Sequence, residues 1–346
     1  MNKTRVGIIN VTGYAGSELA RLLARHPGVE LASVTGRSAA GKSLGAVLPY
    51  LFGLELTIES ESGEVDLVFS AMPHGESAKE VIPLFKRGIK VIDISADFRL
   101  HDVNDYRQWY GLAHPAPQLL RESVYGLPEL YRSEIARARL VANPGCYPTG
   151  AVLALAPAVR EGIIEPSIIV DSKSGVSGAG RTLSLQTHYS EANEDVAAYA
   201  LGGHRHLPEI VQELRGLQPS QLPSVTFIPH LIPMTRGILS TCYAPLSSGT
   251  VSGDRKAEEE IKRLYLDFYR DEPFVRVVEV PPHTKHTSGS NLCLIYPTVD
   301  HRTGRLIVIS CIDNLIKGAA GQAIQNMNLM LGFPETTGLE VLAVYP

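Results

Sequence analysis

The spacing of apolar positions changes character about midway along this chain. Before residue 142, short apolar runs alternate with stretches of helical spacing. Residues 6–10 predict a strand, and 17–25 predict a helix that Pro27 and Gly28 stop. Further strands are expected at 31–35, 67–71, 91–94 and 140–141, with a helix near 76–87. Strands separated by helices of this length imply right-handed βαβ units and a Rossmann-like, doubly wound parallel sheet of the α/β class. After residue 146 the pattern is different. A helix over 149–160 leads to a strand over 168–171 and a Gly/Ser-rich loop. Alternating segments then follow at 224–229, 239–244, 274–280, 291–296 and 306–312, with a helix over 254–269. That predicts an α+β domain on a mostly antiparallel sheet. The last helical pattern, 319–330, is expected to return to the first domain. The expected division is therefore 1–145 with 316–346, and 146–315.

Length and composition agree with two ordinary globular domains. The chain has 346 residues, 44% of them apolar and 20% charged. A net charge of −4 and no long basic run argue against nucleic acid as a partner. No apolar stretch approaches the roughly 20 residues of a membrane span, and the N-terminus enters a strand without a signal-peptide core. Four cysteines without a Cys-x-x-Cys pair argue against structural zinc and against a disulfide-stapled secreted domain. The expectation is a soluble cytoplasmic protein with no metal site.

The turn after the first strand points to a nucleotide. Asn10, Gly13 and Gly16 fall at the spacing G-x-x-G-x-x-G, with asparagine in the first place. Between strand and helix, such a turn lets the backbone N–H groups of Thr12, Gly13, Tyr14, Ala15 and Gly16 approach a pyrophosphate. The second strand ends Val34-Thr-Gly-Arg-Ser38, with a cation and no acid. An NAD site places an acid there for the ribose hydroxyl. Thr35, Gly36, Arg37 and Ser38 instead suit the 2′-phosphate of NADP. Gly36-Arg-Ser-Ala-Ala-Gly-Lys-Ser43 also matches the P-loop pattern in full. It is followed by Leu-Gly-Ala-Val-Leu-Pro49, a poor helix, so an ATPase is not expected and Lys42 reads as a surface residue.

Cys146 follows an apolar strand and an Asn-Pro-Gly turn, where a helix is expected to start. A helix N-terminus favours thiolate over thiol, although most cysteines are simply small buried hydrophobes. Cys242, Cys293 and Cys311 lie in alternating apolar segments and read as core.

A series of ordered motifs carries a resemblance. They are Gly13-Tyr-Ala-Gly-Ser-Glu-Leu19, Met72-Pro-His-Gly75, Asp93-Ile-Ser-Ala-Asp-Phe-Arg99, Val124-Tyr-Gly-Leu-Pro-Glu129, Asn143-Pro-Gly-Cys-Tyr-Pro-Thr149, Ser172-Lys-Ser-Gly-Val-Ser-Gly-Ala-Gly-Arg181, Gly203-His-Arg-His-Leu-Pro-Glu-Ile210 and Pro229-His-Leu-Ile-Pro-Met-Thr-Arg-Gly237. Together they resemble the N-acetyl-gamma-glutamyl-phosphate reductases of arginine biosynthesis, from Val6 to Ala323. Asn10 departs from the glycine usual in that family. A sister family reduces a carrier-protein-linked aminoadipyl phosphate in lysine biosynthesis, and Ile312-Asp-Asn-Leu-Ile-Lys-Gly-Ala-Ala-Gly321 suits either group, whereas the Cys-Tyr-Pro-Thr run and the Ser-Gly-Val-Ser-Gly-Ala-Gly-Arg loop look more like the arginine branch.

The resemblance implies NADPH-dependent reduction of an acyl phosphate to an aldehyde. Cys146 would attack the acyl phosphate, expel phosphate and carry the acyl group as a thioester, a better hydride acceptor than a carboxylate. It also implies a histidine partner in Gly203-His-Arg-His206: His204 first, His206 as the alternative, since a strand would point both to one face. Glu209 would orient an imidazole or cap a helix. Arg99 and Arg181 are candidates for holding substrate phosphate or carboxylate, or for ion pairs. Ser177 and Gly178 suit a loop approaching nicotinamide or substrate. Asn314 is implied as a cofactor contact and would otherwise read as a helix cap. A homodimer or homotetramer is expected. A non-catalytic NADP-binding sensor is the reading from another class, and it has no need of Cys146 and His204 together.

Overall fold

A computed structural model describes residues 3–220, 222–248 and 255–345. The termini at 1, 2 and 346, and the predicted helix start at Asp254, lie outside the described residues. The chain divides into two compact units, 1–145 with 319–341 and 146–318 with 342–346.

In the first unit the strands are β1 (Thr4–Ile9), β2 (Val29–Thr35), β3 (Ile58–Glu59), β4 (Leu67–Ser70), β5 (Lys90–Asp93), β6 (Val124–Tyr125) and β7 (Leu140–Ala142). They form one sheet in the order β3-β2-β1-β4-β5-β7-β6, and every pair is parallel. All four residues of β4 are buried. Burial on both faces explains why these strands read as unbroken apolar runs rather than alternations.

The helix after β1 spans Tyr14–Leu23, three residues ahead of the expected start. Asn10, predicted as strand, takes a left-handed conformation with φ of 65°. Asparagine tolerates that region better than most residues. It therefore does the work of a glycine in ending β1.

Gly321–Leu331 packs in the first unit with nearly every residue buried, including Gln322, Asn326 and Asn328. The polar groups find partners there. Gln322 and Asn326 both donate to the Gly126 carbonyl, at 2.7 and 2.9 Å. Asn328 Oδ1 lies 2.9 Å from His26 Nε2. The return to this unit begins at 319 rather than 316, and residues 342–346 belong to the second unit. Local bonding gives the reason. Gly318 N donates to Asp313 O at 2.9 Å, and Val344 N donates to Ser288 O at 2.8 Å.

The second unit contains β8 (Ser167–Gly175), β9 (Ala197–Ala198), β10 (Ser224–Ile232), β11 (Ile238–Pro245), β12 (Val275–Val277), β13 (Cys293–Asp300) and β14 (Arg305–Ile312). Their order is β12-β13-β14-β11-β8-β10-β9. Only β12/β13 and β8/β10 are parallel; the other pairs are antiparallel. The helix Cys146–Arg160 is buried from Tyr147 to Val159, as a helix apolar all round must be. Small residues bring it close to the sheet: Ser310 Oγ donates to the Gly150 carbonyl at 3.0 Å. Tyr265 OH, from the helix Arg255–Phe268, donates to the Ala154 carbonyl at 2.8 Å. Among the described residues, no helix is long and apolar enough to cross a membrane.

Candidate active site

In the first unit the turn after β1 has the shape a dinucleotide needs. A methyl group on Gly16 would stand 2.4 Å from the Asn10 carbonyl oxygen and 2.9 Å from Val11 Cα. Only glycine lets the helix start so close to the strand end. Asn10 braces the turn: Nδ2 donates to the Ala71 carbonyl at 2.9 Å, and Oδ1 accepts from Thr12 Oγ1 at 3.3 Å. Thr12 through Ala15 are half-buried or exposed, so their backbone is within reach of a ligand.

At the end of β2, Thr35 is buried and its hydroxyl accepts from Asn10 N at 3.3 Å, which makes it part of the turn. Arg37 is two-thirds exposed, paired with Glu80 at 2.5 Å and Glu76 at 3.7 Å. Ser38 is exposed beside it. No carboxylate side chain stands at positions 35–38, and the donor set fits a dinucleotide with a 2′-phosphate. The P-loop look-alike is followed only by the short helix Leu44–Val47, capped by Ser43. Arg99 is buried; its Nε donates to the Asn143 carbonyl at 2.8 Å and its Nη2 to the Ile94 carbonyl at 2.7 Å.

We expect Gly16→Ala to weaken NADPH binding by about 10²-fold, because the added methyl displaces the backbone that would face the pyrophosphate. NADPH fluorescence titration measures it. Affinity within threefold of wild type would refute this reading of the turn.

The second unit holds the nucleophile candidate. Its helix begins on Cys146, not at 149 as the spacing suggested. Pro148 in the first turn is tolerated because N–H groups there have no intrahelical partner. Cys146 is half-buried, whereas Cys242, Cys293 and Cys311 are buried. Burial pushes the Cys242 and Cys311 thiols up to about 12, which leaves them unreactive. Gly318 sits directly against Cys146: a methyl on it would stand 2.8 Å from Cys146 Cβ. Gly318 falls within the π-helical turn Ile316–Ala320, an irregularity often found at functional sites.

The two histidines lie on a turn, not on a strand as expected. His206 precedes the helix Leu207–Leu217 and His204 stands two residues before it. The turn nonetheless brings their rings to 4.8 Å. Both rings pack edge-on against Tyr147, the residue after Cys146, at 5.6 and 5.9 Å. His206 N donates to His204 Nδ1 at 3.1 Å, so a neutral His204 carries its proton on Nε2. Burial, reinforced by Arg205, pushes the His204 pKa down to about 4. At neutral pH it is an uncharged hydrogen-bond donor. Glu209 is buried in the first turn of the helix that follows.

Two tyrosines complete the cluster, and neither was singled out from the sequence. Tyr147 OH lies 3.0 Å from Tyr199 OH. Burial raises the pKa of both, with Cys146 adding to the rise; Tyr199 reaches about 12. Tyr147 had a signal, its place beside the cysteine; Tyr199 lies in a short apolar run, Val196-Ala-Ala-Tyr-Ala-Leu201, with no helical or strand period, and had none.

Nearby loops are tied together by Asn314. Its Oδ1 accepts from Gly237 N at 2.8 Å, and its Nδ2 donates to Ser177 Oγ at 2.9 Å. Ser177 is buried and Gly178 exposed. A side chain on Gly178 would meet Ser174 Oγ at 2.9 Å. Arg181 is exposed. Among the described residues no group of three or more His, Cys, Asp or Glu is placed to hold a metal.

Comparison with known proteins fits this geometry. The family description "Semialdehyde dehydrogenase, NAD binding domain" matches residues 5–138, and "Semialdehyde dehydrogenase, dimerisation domain" matches 146–314. The chain is 60% identical to an N-acetyl-gamma-glutamyl-phosphate reductase of Dehalococcoides mccartyi, over 100% of both chains. The chain belongs to the N-acetyl-gamma-glutamyl-phosphate reductase family. A member from Pelotomaculum thermopropionicum is 51% identical over 99% of each chain. The fold is shared more widely. Aspartate semialdehyde dehydrogenase II of Vibrio cholerae superposes with a TM-score of 0.69 at 17% identity, covering 96% of this chain and 99% of that one. The Candida albicans aspartate semialdehyde dehydrogenase with NADP gives 0.71 at 15% identity, covering 95% and 99%.

Proposed function

We infer that this chain reduces N-acetyl-gamma-glutamyl phosphate to N-acetylglutamate 5-semialdehyde with NADPH, releasing phosphate, in arginine biosynthesis. One observation carries the reading. A half-buried cysteine heads a fifteen-residue buried helix beside a neutral imidazole, in a member of the reductase family.

Cys146, as thiolate, attacks the acyl carbon and expels phosphate, leaving a thioester. The helix N-terminus favours the thiolate and the departing anion. NADPH, when bound, supplies the hydride. Thr12, Gly13, Tyr14, Ala15 and Gly16 would face its pyrophosphate, with Thr35, Gly36, Arg37 and Ser38 around the 2′-phosphate. Ser177, Gly178 and Asn314 would border the nicotinamide, Asn314 chiefly by holding the loop. The tetrahedral oxyanion on Cys146 receives a hydrogen bond from the His204 Nε2–H; an uncharged donor polarises a carbonyl without first gaining a proton. The oxyanion collapses, the thiolate leaves and the aldehyde is released. His206 holds His204 in the donor tautomer through its backbone N–H, and Glu209 steadies the helix that carries the turn. Arg99 and Arg181 remain candidates for the substrate's anionic groups. A reducing compartment such as the cytoplasm suits a thiol nucleophile.

The test is the reverse reaction. Purified protein is given N-acetylglutamate semialdehyde, phosphate and NADP⁺, and NADPH absorbance is followed. Phosphate-dependent turnover of this aldehyde, in preference to aspartate and aminoadipate semialdehydes, is expected. Its absence refutes the assignment, and preference for the aminoadipate compound moves it to the lysine branch.

The same reading proposes a second copy as partner. On the second sheet, Ile169, Thr241, Tyr243, Tyr296, Ile307 and Ile309 occupy alternate, half-exposed positions, and the register sets Tyr296, Ile309, Thr241 and Asp171 in one row across it. A broad, largely apolar face of this kind suits an isologous two-fold contact. Ile309→Arg is expected to convert a wild-type dimer or tetramer to a smaller species in sedimentation velocity. An unchanged sedimentation coefficient would rule this face out.

A further inference from the structure

Arg37 opens the short helical turn after β2, and Glu76 and Glu80 stand at the start of the helix Ser77–Lys86, which follows β4. β2 and β4 are the two neighbours of β1. The chain runs outward from β1 through β2 to β3, and β4 then starts on the other side of β1. The sheet therefore reverses direction there, the place where open α/β sheets take their ligands. Both flanks are tied to the glycine turn. From β2, the Thr35 carbonyl accepts Val11 N at 2.8 Å, and a methyl on Gly36 would stand 3.2 Å from Thr12 Cγ2. From β4, the Ala71 carbonyl accepts Asn10 Nδ2 at 2.9 Å. The residues that would face the pyrophosphate thus lie between the two flanks.

Buried carboxylates hold the helix start. Asp97 accepts from Gly75 N at 2.6 Å and from Ala78 N at 2.9 Å, and Asp93 accepts from Ser77 Oγ at 2.5 Å. Arg37 meets the two glutamates from across β1. Its Nη2 lies 2.5 Å from Glu80 Oε1, and its Nη1 lies 3.7 Å from Glu76 Oε2. Glu76 Oε1 takes Lys79 Nζ at 2.8 Å, which leaves Glu80 as the closer partner of Arg37. Both terminal nitrogens of the guanidinium face carboxylates, and they are the donors that a phosphate contact uses. The three side chains are between 40% and 66% exposed. Pairs so open to water are weak and screened by salt, so they can part. The end of β2 carries no acid of its own, yet the fold delivers one to its cation from another element.

Resting on the assignment of Arg37 to the 2′-phosphate, we propose that Glu80 competes with that phosphate for Arg37 and so sets the margin by which this chain prefers NADP to NAD. The phosphate gains the guanidinium only when the carboxylate gives it up. NAD brings no phosphate to Arg37 and leaves the pair intact. Glu80 thus lowers affinity for NADP alone, and the sequence motif at the end of β2 overstates the selectivity of the folded site.

Calorimetric titration with NADP⁺ and NAD⁺ tests this on wild type, Glu80→Gln, Arg37→Ala and the double variant. Glutamine keeps the length of the side chain and removes its charge. In Glu80→Gln the Kd of NADP⁺ is expected to fall about threefold to fivefold, the scale of one exposed ion pair, while that of NAD⁺ stays within about 1.5-fold. In the Arg37→Ala background the same substitution should move the Kd of NADP⁺ by less than about 1.5-fold, because the competition needs the guanidinium. Weaker NADP⁺ binding in Glu80→Gln would overturn the proposal and make Glu80 a residue that aims Arg37 at the phosphate. An unchanged Kd, or equal changes for both dinucleotides, would overturn it in favour of a structural role. A gain that survives undiminished without Arg37 would overturn the competition as well. Arg37→Ala alone reads the underlying assignment. Weaker NADP⁺ binding with NAD⁺ unmoved upholds it whatever Glu80 does, and no selective loss removes both the assignment and the proposal.

Discussion

Cys146→Ser is expected to lose at least about 10⁴-fold in phosphate-dependent turnover, because a serine hydroxyl is neither ionised at neutral pH nor a comparable leaving group. Sulfur for oxygen at a half-buried helix start removes little packing, so the unfolding midpoint should shift by no more than about 2 °C. That pairing of a large kinetic loss with a small thermal one is the signature sought. Iodoacetamide provides a direct check. Wild type should be inactivated with one label at Cys146, while the buried Cys242 and Cys311, whose thiols sit near 12, stay unlabelled in the folded protein. Retained turnover in the serine variant would dispose of the thioester route and leave the overall reaction standing.

His204→Ala should lower kcat by about 10²- to 10³-fold with little change in KM, the usual cost of removing one donor to an oxyanion. His204→Gln, which restores an N–H, should recover part of the loss. The pH profile tells an uncharged donor from an imidazolium acid. With its pKa near 4, His204 is neutral from pH 5 to 8 and contributes no limb near 6.5. Activity limited by this group should decline only as pH falls toward 4. A rate that climbs as pH drops through 6.5, and loses that climb in His204→Ala, would mean that the ring acts as a charged acid.

Stability follows the same sign. A depressed folded pKa means that the unfolded chain binds the proton first. Stability is therefore complete above about 6.5 and lost as pH falls toward 4. His26, His101 and His114, also lowered by burial, act in the same direction. Kinetics, not the unfolding curve, isolates His204.

Most of the architecture is legible in the order of residues because buried strands and amphipathic helices leave different periods. β1, β2, β4 and β5 each lie within two residues of their expected bounds at either end, and so does β14. The pieces that escaped are short or lack a period. β3, β6 and β9 have two residues each, and Leu207–Leu217 follows a turn that read as strand. The site divides in the same way. Cys146, Gly16 and the histidine pair announce themselves by chemistry at a breakpoint in the pattern. Arg37 reads as a cation for a 2′-phosphate and Arg99 as one for substrate or for an ion pair, and the structure gives both of them protein partners. No local pattern foretells such tertiary bonds. Tyr199 matters through what it touches, and Gly318 through what it lacks; only the folded arrangement conveys that.

The chain leaves the first unit at residue 145 and re-enters it at 319, with a consequence for the order of folding during synthesis. The helix Gly321–Leu331, buried almost throughout against that unit, is made only after the whole of 146–318. At elongation rates of roughly 5 to 20 residues per second, the N-terminal strands wait about 10 to 40 seconds for it. All of 146–318 is thus made before that helix, and the first unit, though begun earliest, must wait for its closing segment.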